Sequence, residues 1–334
     1  MGENQPSLLS KIRQLTTDIG IYQHGKLDKP NPAFGYALED QARALIVAYQ
    51  LDDRDLEKIY LDFIKRSFRK DGYLNQYFFE DNRGFIEDLT PNTVVDKEEA
   101  YGITIWALLS TKHHKREGIV PIINRLEKMS ENFGSPRAIA SSILGLCTLT
   151  ENTELELKLT DRLLDCFRKT KTTDWPWFEN YLTYANAILP WALWESAIKR
   201  NNQESFQTAK IATDFLIDQC QTNGVPCPIG NRGWYRKGGQ KELFDQQPID
   251  VSYMICCLEK AYKATSDKTY LDWAKKWWGW FFGNNINKAF MVGKDFSCSD
   301  GLSKEGPSKN QGTESNICFV LAYLAAKRLG IIKD

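Results

Sequence analysis

The sequence predicts an all-α ring of six helical hairpins, an (α/α)6 toroid, and three observations predict it. Apolar spacing is helical almost throughout, the helices alternate between amphipathic and wholly apolar, and their connections alternate between short and long. The period-two alternation of a half-buried strand is almost never sustained. Apolar periodicity broken by Gly, Pro and polar residues places roughly twelve helices at 6–18, 36–51, 54–70, 97–110, 118–133, 136–149, 152–170, 180–199, 203–221, 249–265, 268–283 and 313–329.

The segments at 54–70, 118–133, 152–170, 203–221 and 268–283 are charged on one face and apolar on the other, as a helix with one side in water must be. Those at 97–110, 136–149, 180–199, 249–265 and 313–329 are apolar or small most of the way round, which suits burial on several sides. Inner helices pass to outer ones through short links such as Asp52-Asp53, Thr150-Glu151 and Ser266-Asp267. The return uses long segments, 71–95, 171–179, 222–247 and 285–312. A ring built this way puts the long loops and the N-termini of the inner helices around one mouth. A solenoid or a two-domain bundle could use the same helices, but the six-fold count and the one-sided loops favour the ring. No 34- or 40-residue consensus repeats, and no Gly-, Ser- or Pro-rich linker divides the chain, so residues 1–334 read as one barrel domain.

Composition narrows the function. With 334 residues and 42% hydrophobic residues the chain can bury a large core. Lys plus Arg equals Asp plus Glu at 43 each, so no global field draws nucleic acid or an anionic membrane. The start, MGENQPSLLS, lacks the basic and apolar regions of a signal peptide. Pro6 stands where a myristoylation signal after Gly2 wants Ser or Thr, and no apolar run could span a bilayer. A cytoplasmic protein is expected. Cys147, Cys166, Cys256, Cys257 and Cys318 fall in apolar helical runs and are expected as reduced thiols. Three histidines and no CxxC or HExxH pair give no basis for a metal, and no cofactor is expected. The excess is aromatic, with 10 Trp, 14 Tyr and 17 Phe, partly in loops; such faces stack on sugars or fill apolar pockets.

Polar residues cluster at the expected mouth. His24 is followed by Tyr36 and by Glu39, Asp40 and Arg43 at the start of a helix. Glu39 also suits a helix N-terminus, where the macrodipole stabilises a carboxylate, whereas Asp40 lies three residues before Arg43 on an otherwise apolar helix. The charges of Asp96 to Glu99 read more simply as a solvated helix start. Trp175, Trp177, Glu179, Asn180 and Tyr184 suit a sugar-binding wall, although the two tryptophans could equally pack in the core. Trp234 lies in the next long loop; Asp245, Gln246, Gln247 and Asp250 flank Pro248, a first-turn proline. Asp300, Gln311 and Glu314 complete the set, with Thr313 readable as a helix cap. Carboxyl pairs across a cleft are what glycoside chemistry needs, one to protonate the leaving oxygen and one to activate water or attack carbon.

At IYQHGK (21–26), GYALEDQARALIVA (35–48), WPWFENYLTYANAILPWAL (175–193), FDQQPIDVS (244–252), DGL (300–302) and NQGTES (310–315) the chain resembles the six-hairpin glycosidase-like superfamily. Within it the resemblance is to a bacterial group often labelled glycosyltransferase or mannosyltransferase because the helical domain can stand next to one. The group's paired acids before Ala-Arg are met by Glu39-Asp40. The resemblance implies a carbohydrate-active toroid; without a strand and Gly-rich turn for a nucleotide sugar it does not imply a glycosyltransferase fold.

The expected function is a glycoside hydrolase acting on a short oligosaccharide, with Asp40, Glu179 and Asp245 as acid and base candidates and, by analogy with other toroid enzymes, inversion at the anomeric carbon. His24, Tyr36, Arg43, Trp175, Trp177, Asn180, Tyr184, Trp234, Gln246, Gln247, Asp250, Asp300, Gln311 and Glu314 are the expected substrate-binding residues. One alternative is a sugar epimerase, which would want a second histidine at the mouth, whereas His113 and His114 fall on the short-link side. Another is a glycan-binding partner of a glycosyltransferase that turns nothing over. A zinc-dependent prenyltransferase is disfavoured for want of its ligands.

Overall fold

In the computed structural model, which describes residues 7–86, 94–151 and 153–333, the inner helices are α2 (Leu38–Gln50), α4 (Val94–Ser110), α6 (Pro136–Cys147), α8 (Ile188–Arg200), α10 (Pro248–Thr265) and α12 (Thr313–Arg328). The outer helices are α1 (Ser10–Leu15), α3 (Arg54–Ser67), α5 (Val120–Ser130), α7 (Glu154–Thr170), α9 (Gln203–Gln219) and α11 (Lys268–Trp280). The expectations for Gly2 and Pro6 lie outside the described residues. Among the described residues no helix is long and apolar enough to cross a membrane.

Each inner helix packs on the next, and α12 packs back on α2 to close the ring. This is the expected (α/α)6 toroid, with the long connections at the N-terminal pole of the inner helices. Outer helices α3, α7, α9 and α11 are capped by Asp53, Thr153, Asn202 and Asp267, whose side chains accept from first-turn N–H groups. Inner helices α2, α8, α10 and α12 have no side-chain cap; the polar starts of α2 and α12 line the mouth. Thr313 is not a cap: Gly312 holds that position, and the Thr313 hydroxyl donates to the carbonyl of Tyr22.

Under the mouth Trp106, Trp191 and Tyr253 from α4, α8 and α10 meet with ring centroids 5.2 to 6.3 Å apart. All three are nearly fully buried, and they plug the ring with apolar area. Short two- and three-stranded ribbons decorate the same pole. Tyr36–Ala37 pairs with Tyr77–Phe78, and Tyr181–Leu182 pairs with Tyr235–Arg236. The loops before α2 and α12 clasp across the ring through Leu27 N–H to Asn310 Oδ1 at 2.9 Å and Gln311 N–H to the Leu27 carbonyl at 3.0 Å.

One predicted boundary moves. The helix expected at 180–199 begins at Ile188, because Asn186 turns the chain first. Its side chain accepts from Thr183 N–H at 2.9 Å and donates to the Thr183 carbonyl at 2.6 Å, and Ala185 takes a left-handed φ of 50°. The first helix is also shorter than its periodicity suggests, because Thr16 turns out of it to bridge with Ile21.

Helices α4 and α6 approach unusually closely through a reciprocal pair of glycines. A Cβ on Gly102 would stand 2.5 Å from the carbonyl oxygen of Ala138, and one on Gly145 would stand 2.8 Å from Cα of Trp106. These atoms are backbone and cannot swing away. Gly102→Ala is therefore expected to lower unfolding free energy by about 1–3 kcal/mol despite the better helix propensity of alanine, as read by urea denaturation; an unchanged or raised midpoint would contradict the close packing.

Candidate active site

Three cavities of about 530, 280 and 170 Å³ run into one another across the mouth. The first two share Glu99 and Tyr184, and the second and third share Glu39 and Glu314, so together they form one cleft. Its largest part is walled by Tyr184 and Trp234, whose ring centroids are 6.0 Å apart. Trp234 takes a left-handed φ of 63°, which a side chain this large adopts only when its surroundings impose it. Here Trp234 N–H donates to the Gly230 carbonyl at 3.1 Å and its own carbonyl accepts from Glu242 N–H at 3.2 Å.

Two arginines organise the polar floor: Arg137 in the first turn of α6, where the macrodipole disfavours a cation, and Arg43 one turn further along α2. Arg43, 5% exposed on α2, lies 3.5 Å from Glu39, 3.5 Å from Asp40 and 3.4 Å from Glu314. Its Nε donates to the Tyr253 hydroxyl at 3.4 Å. Burial and the neighbouring charge of Glu39 push Asp40 well above the usual carboxylate range. Glu314 keeps 39% of its side chain exposed, yet the protein around its carboxyl desolvates it and raises its pKa.

Arg137 on α6 is fully engaged. Its Nη1 donates to both oxygens of Glu179 at 3.2 and 2.9 Å, Nη2 to Thr183 and Asn186, and Nε to the Tyr184 carbonyl at 2.8 Å. The guanidinium also lies 4.9 Å from the Tyr184 ring centroid. The Tyr184 hydroxyl in turn donates to Glu99 Oε2 at 2.8 Å, while Ser135 donates to Glu99 Oε1 at 2.9 Å. Desolvation raises the pKa of Glu99, against the opposing effects of Arg137 and these two hydroxyls.

The structure brings Asp40, Arg43, Glu179, Tyr184, Trp234, Gln247, Asp300, Glu314 and His24 to this cleft. It places the other expected residues elsewhere. Asp245 sits on the loop before α10, ion-paired to Arg232 at 3.2 Å, and is not among the residues lining the three cavities. Trp175 and Trp177 are core residues, 3% and 0% exposed, packed on Phe215; the Trp175 indole donates to the Glu179 carbonyl, so it supports the wall from behind. Tyr36 is buried, its hydroxyl donating to Glu80. Gln246 is buried too, its amide spent on Trp280 and the Leu243 carbonyl. Asp250 lines a separate small pocket of about 10 Å³ with Cys220 and Trp277. Asn180 is exposed, its carbonyl accepting from Lys237 N–H, and Gln311 donates to Ser297.

Glu99 and Arg137 were missed. Glu99 hid in a charge run at a helix start, and only the fold shows that Glu98 accepts from the Gly134 and Ser135 N–H groups at the edge of the first cavity while Glu99 lines both the first and the second. Arg137 had a signal: a cation in the first turn of an otherwise apolar helix is misplaced unless an anion waits for it. All eight cysteines are free, and among the described residues no group of three His, Cys, Asp or Glu is arranged to hold a metal ion.

Neither a protein-family model nor a curated protein sequence matches the chain. Solved structures do, through the fold. A D-mannose isomerase aligns with TM-score 0.69 at 12% identity over 98% of this chain and 100% of its own. The cellobiose 2-epimerase of Bacillus thermoamylovorans B4167 aligns with TM-score 0.70 at 12% identity over 95% of each chain. An α-amylase from Clostridium perfringens aligns with TM-score 0.63 at 11% identity over 97% and 98%. The chain shares its (α/α)6 fold with these enzymes.

Two measurements test the electrostatics. Removing the Tyr184 hydroxyl takes a hydrogen bond from the charged form of Glu99, so Tyr184→Phe is expected to raise the Glu99 pKa further, read by carboxyl ¹³C NMR with Glu99→Gln for assignment; an unchanged or lowered value would break the link. Asp250, buried with one oxygen unpartnered, is pushed up to about 8 from 3.8 by desolvation. The folded chain keeps this proton while the unfolded chain releases it, so stability falls as pH rises between those values, at up to about 1.4 kcal/mol per pH unit from this group. Asp250→Asn should flatten that decline; parallel stability curves for variant and parent would refute it.

Proposed function

We propose that the chain is a carbohydrate-active enzyme that hydrolyses a glycosidic bond of a short oligosaccharide, with Glu99 as proton donor and Glu39 as the base that activates water. One observation carries the reading: carboxyl groups from α4 and α2 line the same cavity of about 280 Å³, one desolvated and the other open to the cleft beside Arg43. Glu99 would protonate the leaving oxygen while Glu39 takes a proton from the water that attacks the anomeric carbon. Room for that water between the two groups is what inversion requires. The Tyr184 and Trp234 faces suit a neighbouring sugar ring. The α-amylase with this fold supports hydrolysis as a chemistry of such clefts.

A second reading is favoured by His24, which lines the third cavity with Asp300 and whose pKa is lowered by desolvation. A base of that kind could move the proton at C2 of an aldose, as the isomerase and epimerase with this fold suggest. Hydrolysis stands first because carboxyls occupy both walls of the cleft, whereas His113 lies at the opposite pole, bound to Glu57 at 2.7 Å.

A screen of manno-, gluco- and other oligosaccharides, with NMR reading the first anomer released, tests the proposal. Glu99→Gln and Glu39→Gln are each expected to lower kcat by about 10²–10⁴ with unchanged melting. Asp245→Asn, held by Arg232 outside the cavities, is expected to stay near the parent rate. Near-normal turnover by both glutamine variants would remove the assignment. Deuterium at C2 after incubation in heavy water, without cleavage, would move the function to the second reading.

A further inference from the structure

The centre of the cleft has an unmet donor. Nη1 of Arg43 is buried and has no hydrogen-bond partner among the described residues; Asp40 and Glu314 lie 3.5 and 3.4 Å away as ion pairs without hydrogen-bond geometry. A buried guanidinium N–H left in this state is costly, and an oxygen arriving from the cleft would relieve it. The surroundings decide what kind of oxygen. Five carboxyl groups, on Glu39, Asp40, Glu99, Asp300 and Glu314, line the second and third cavities against the single guanidinium of Arg43.

A phosphate or carboxylate brings acceptors only. It could satisfy Nη1, but it would set a further negative charge among these acids in a partly desolvated space, where repulsion is poorly screened. A sugar hydroxyl accepts from Nη1 and donates to a carboxyl oxygen in the same contact. Arg137 offers no alternative anchor for an anion, since its three nitrogens are already committed to Glu179, Thr183, Asn186 and the Tyr184 carbonyl.

We propose that this central subsite takes an uncharged sugar unit, gripped through its hydroxyls by Arg43 and the surrounding acids, and rejects uronates and sugar phosphates. The inference rests on the cleft being a saccharide site and adds the charge class of its ligand.

The test compares matched probes at neutral pH by saturation-transfer NMR and calorimetry: glucose, mannose and galactose against glucuronate, galacturonate, glucose 6-phosphate and mannose 6-phosphate. At least one neutral sugar is expected to bind, and its charged counterpart to bind about tenfold more weakly or worse. Glu39→Gln should narrow that gap. Arg43→Lys, which cannot reproduce the fork, should weaken the neutral sugar by about tenfold; should it fail to fold, the Glu39→Gln comparison carries the test. A charged sugar binding as tightly as its neutral parent would overturn the inference, and so would failure of every neutral probe to bind. Cleavage of a uronate-containing oligosaccharide would sink the charge selection and leave hydrolysis standing, whereas a neutral sugar that binds without any cleavage of its oligomers would do the reverse.

Discussion

Two buried guanidinium groups near the N-termini of inner helices are the constraint on which the mouth of this toroid depends. Arg137, in the first turn of α6, opposes the partial positive charge of the helix N-terminus by about 0.3–1 kcal/mol, and both arginines, being buried, need carboxylates held against them. Arg43 draws on its own helix and on Glu314 of α12, which ties the two ends of the ring together. Arg137 draws on the 179–186 segment, which it binds through two side-chain oxygens of Glu179, the Thr183 hydroxyl, the Asn186 amide oxygen and the Tyr184 carbonyl. Removing either arginine would strand buried acids rather than merely delete a contact.

That constraint also builds the chemistry. The turn that Asn186 forces before α8 is what turns Tyr184 back toward Glu99, and the pairing of Tyr181–Leu182 with Tyr235–Arg236 brings Trp234 over the same space. An aromatic wall and a desolvated acid therefore come from one local departure from helix. Below them the Trp106, Trp191 and Tyr253 plug is contiguous with the floor through the Arg43 to Tyr253 hydrogen bond. The apolar core thus reaches up to the polar floor, where desolvation raises Asp40, Glu99 and Glu314 together.

Much of this was legible in residue order. Inner and outer helices declared themselves by how much of their circumference is apolar, and a one-sided distribution of loop lengths located the mouth. Asp40, Arg43, Tyr184, Trp234 and Glu314 were reached from their position near inner-helix starts. Trp175, Trp177 and Gln246 were reached by the same rule and proved to be buried supports, because proximity in sequence to a helix start does not say which way a side chain faces. Glu98 and Glu99 make the point most sharply: adjacent and chemically identical, both border the first cavity, yet only Glu99, about 100° further around α4, also reaches the second.

The sequence by itself determined the class of architecture, since the 3.6-residue period and the alternation of amphipathic with all-apolar segments are properties of neighbouring residues. Only the tertiary structure decided which acids share a cleft and which lose their solvent. Those outcomes depend on contacts between residues far apart in the chain, such as Arg43 with Glu314 and Tyr184 with Glu99, and on desolvation, which belongs to a packed environment and to no residue alone.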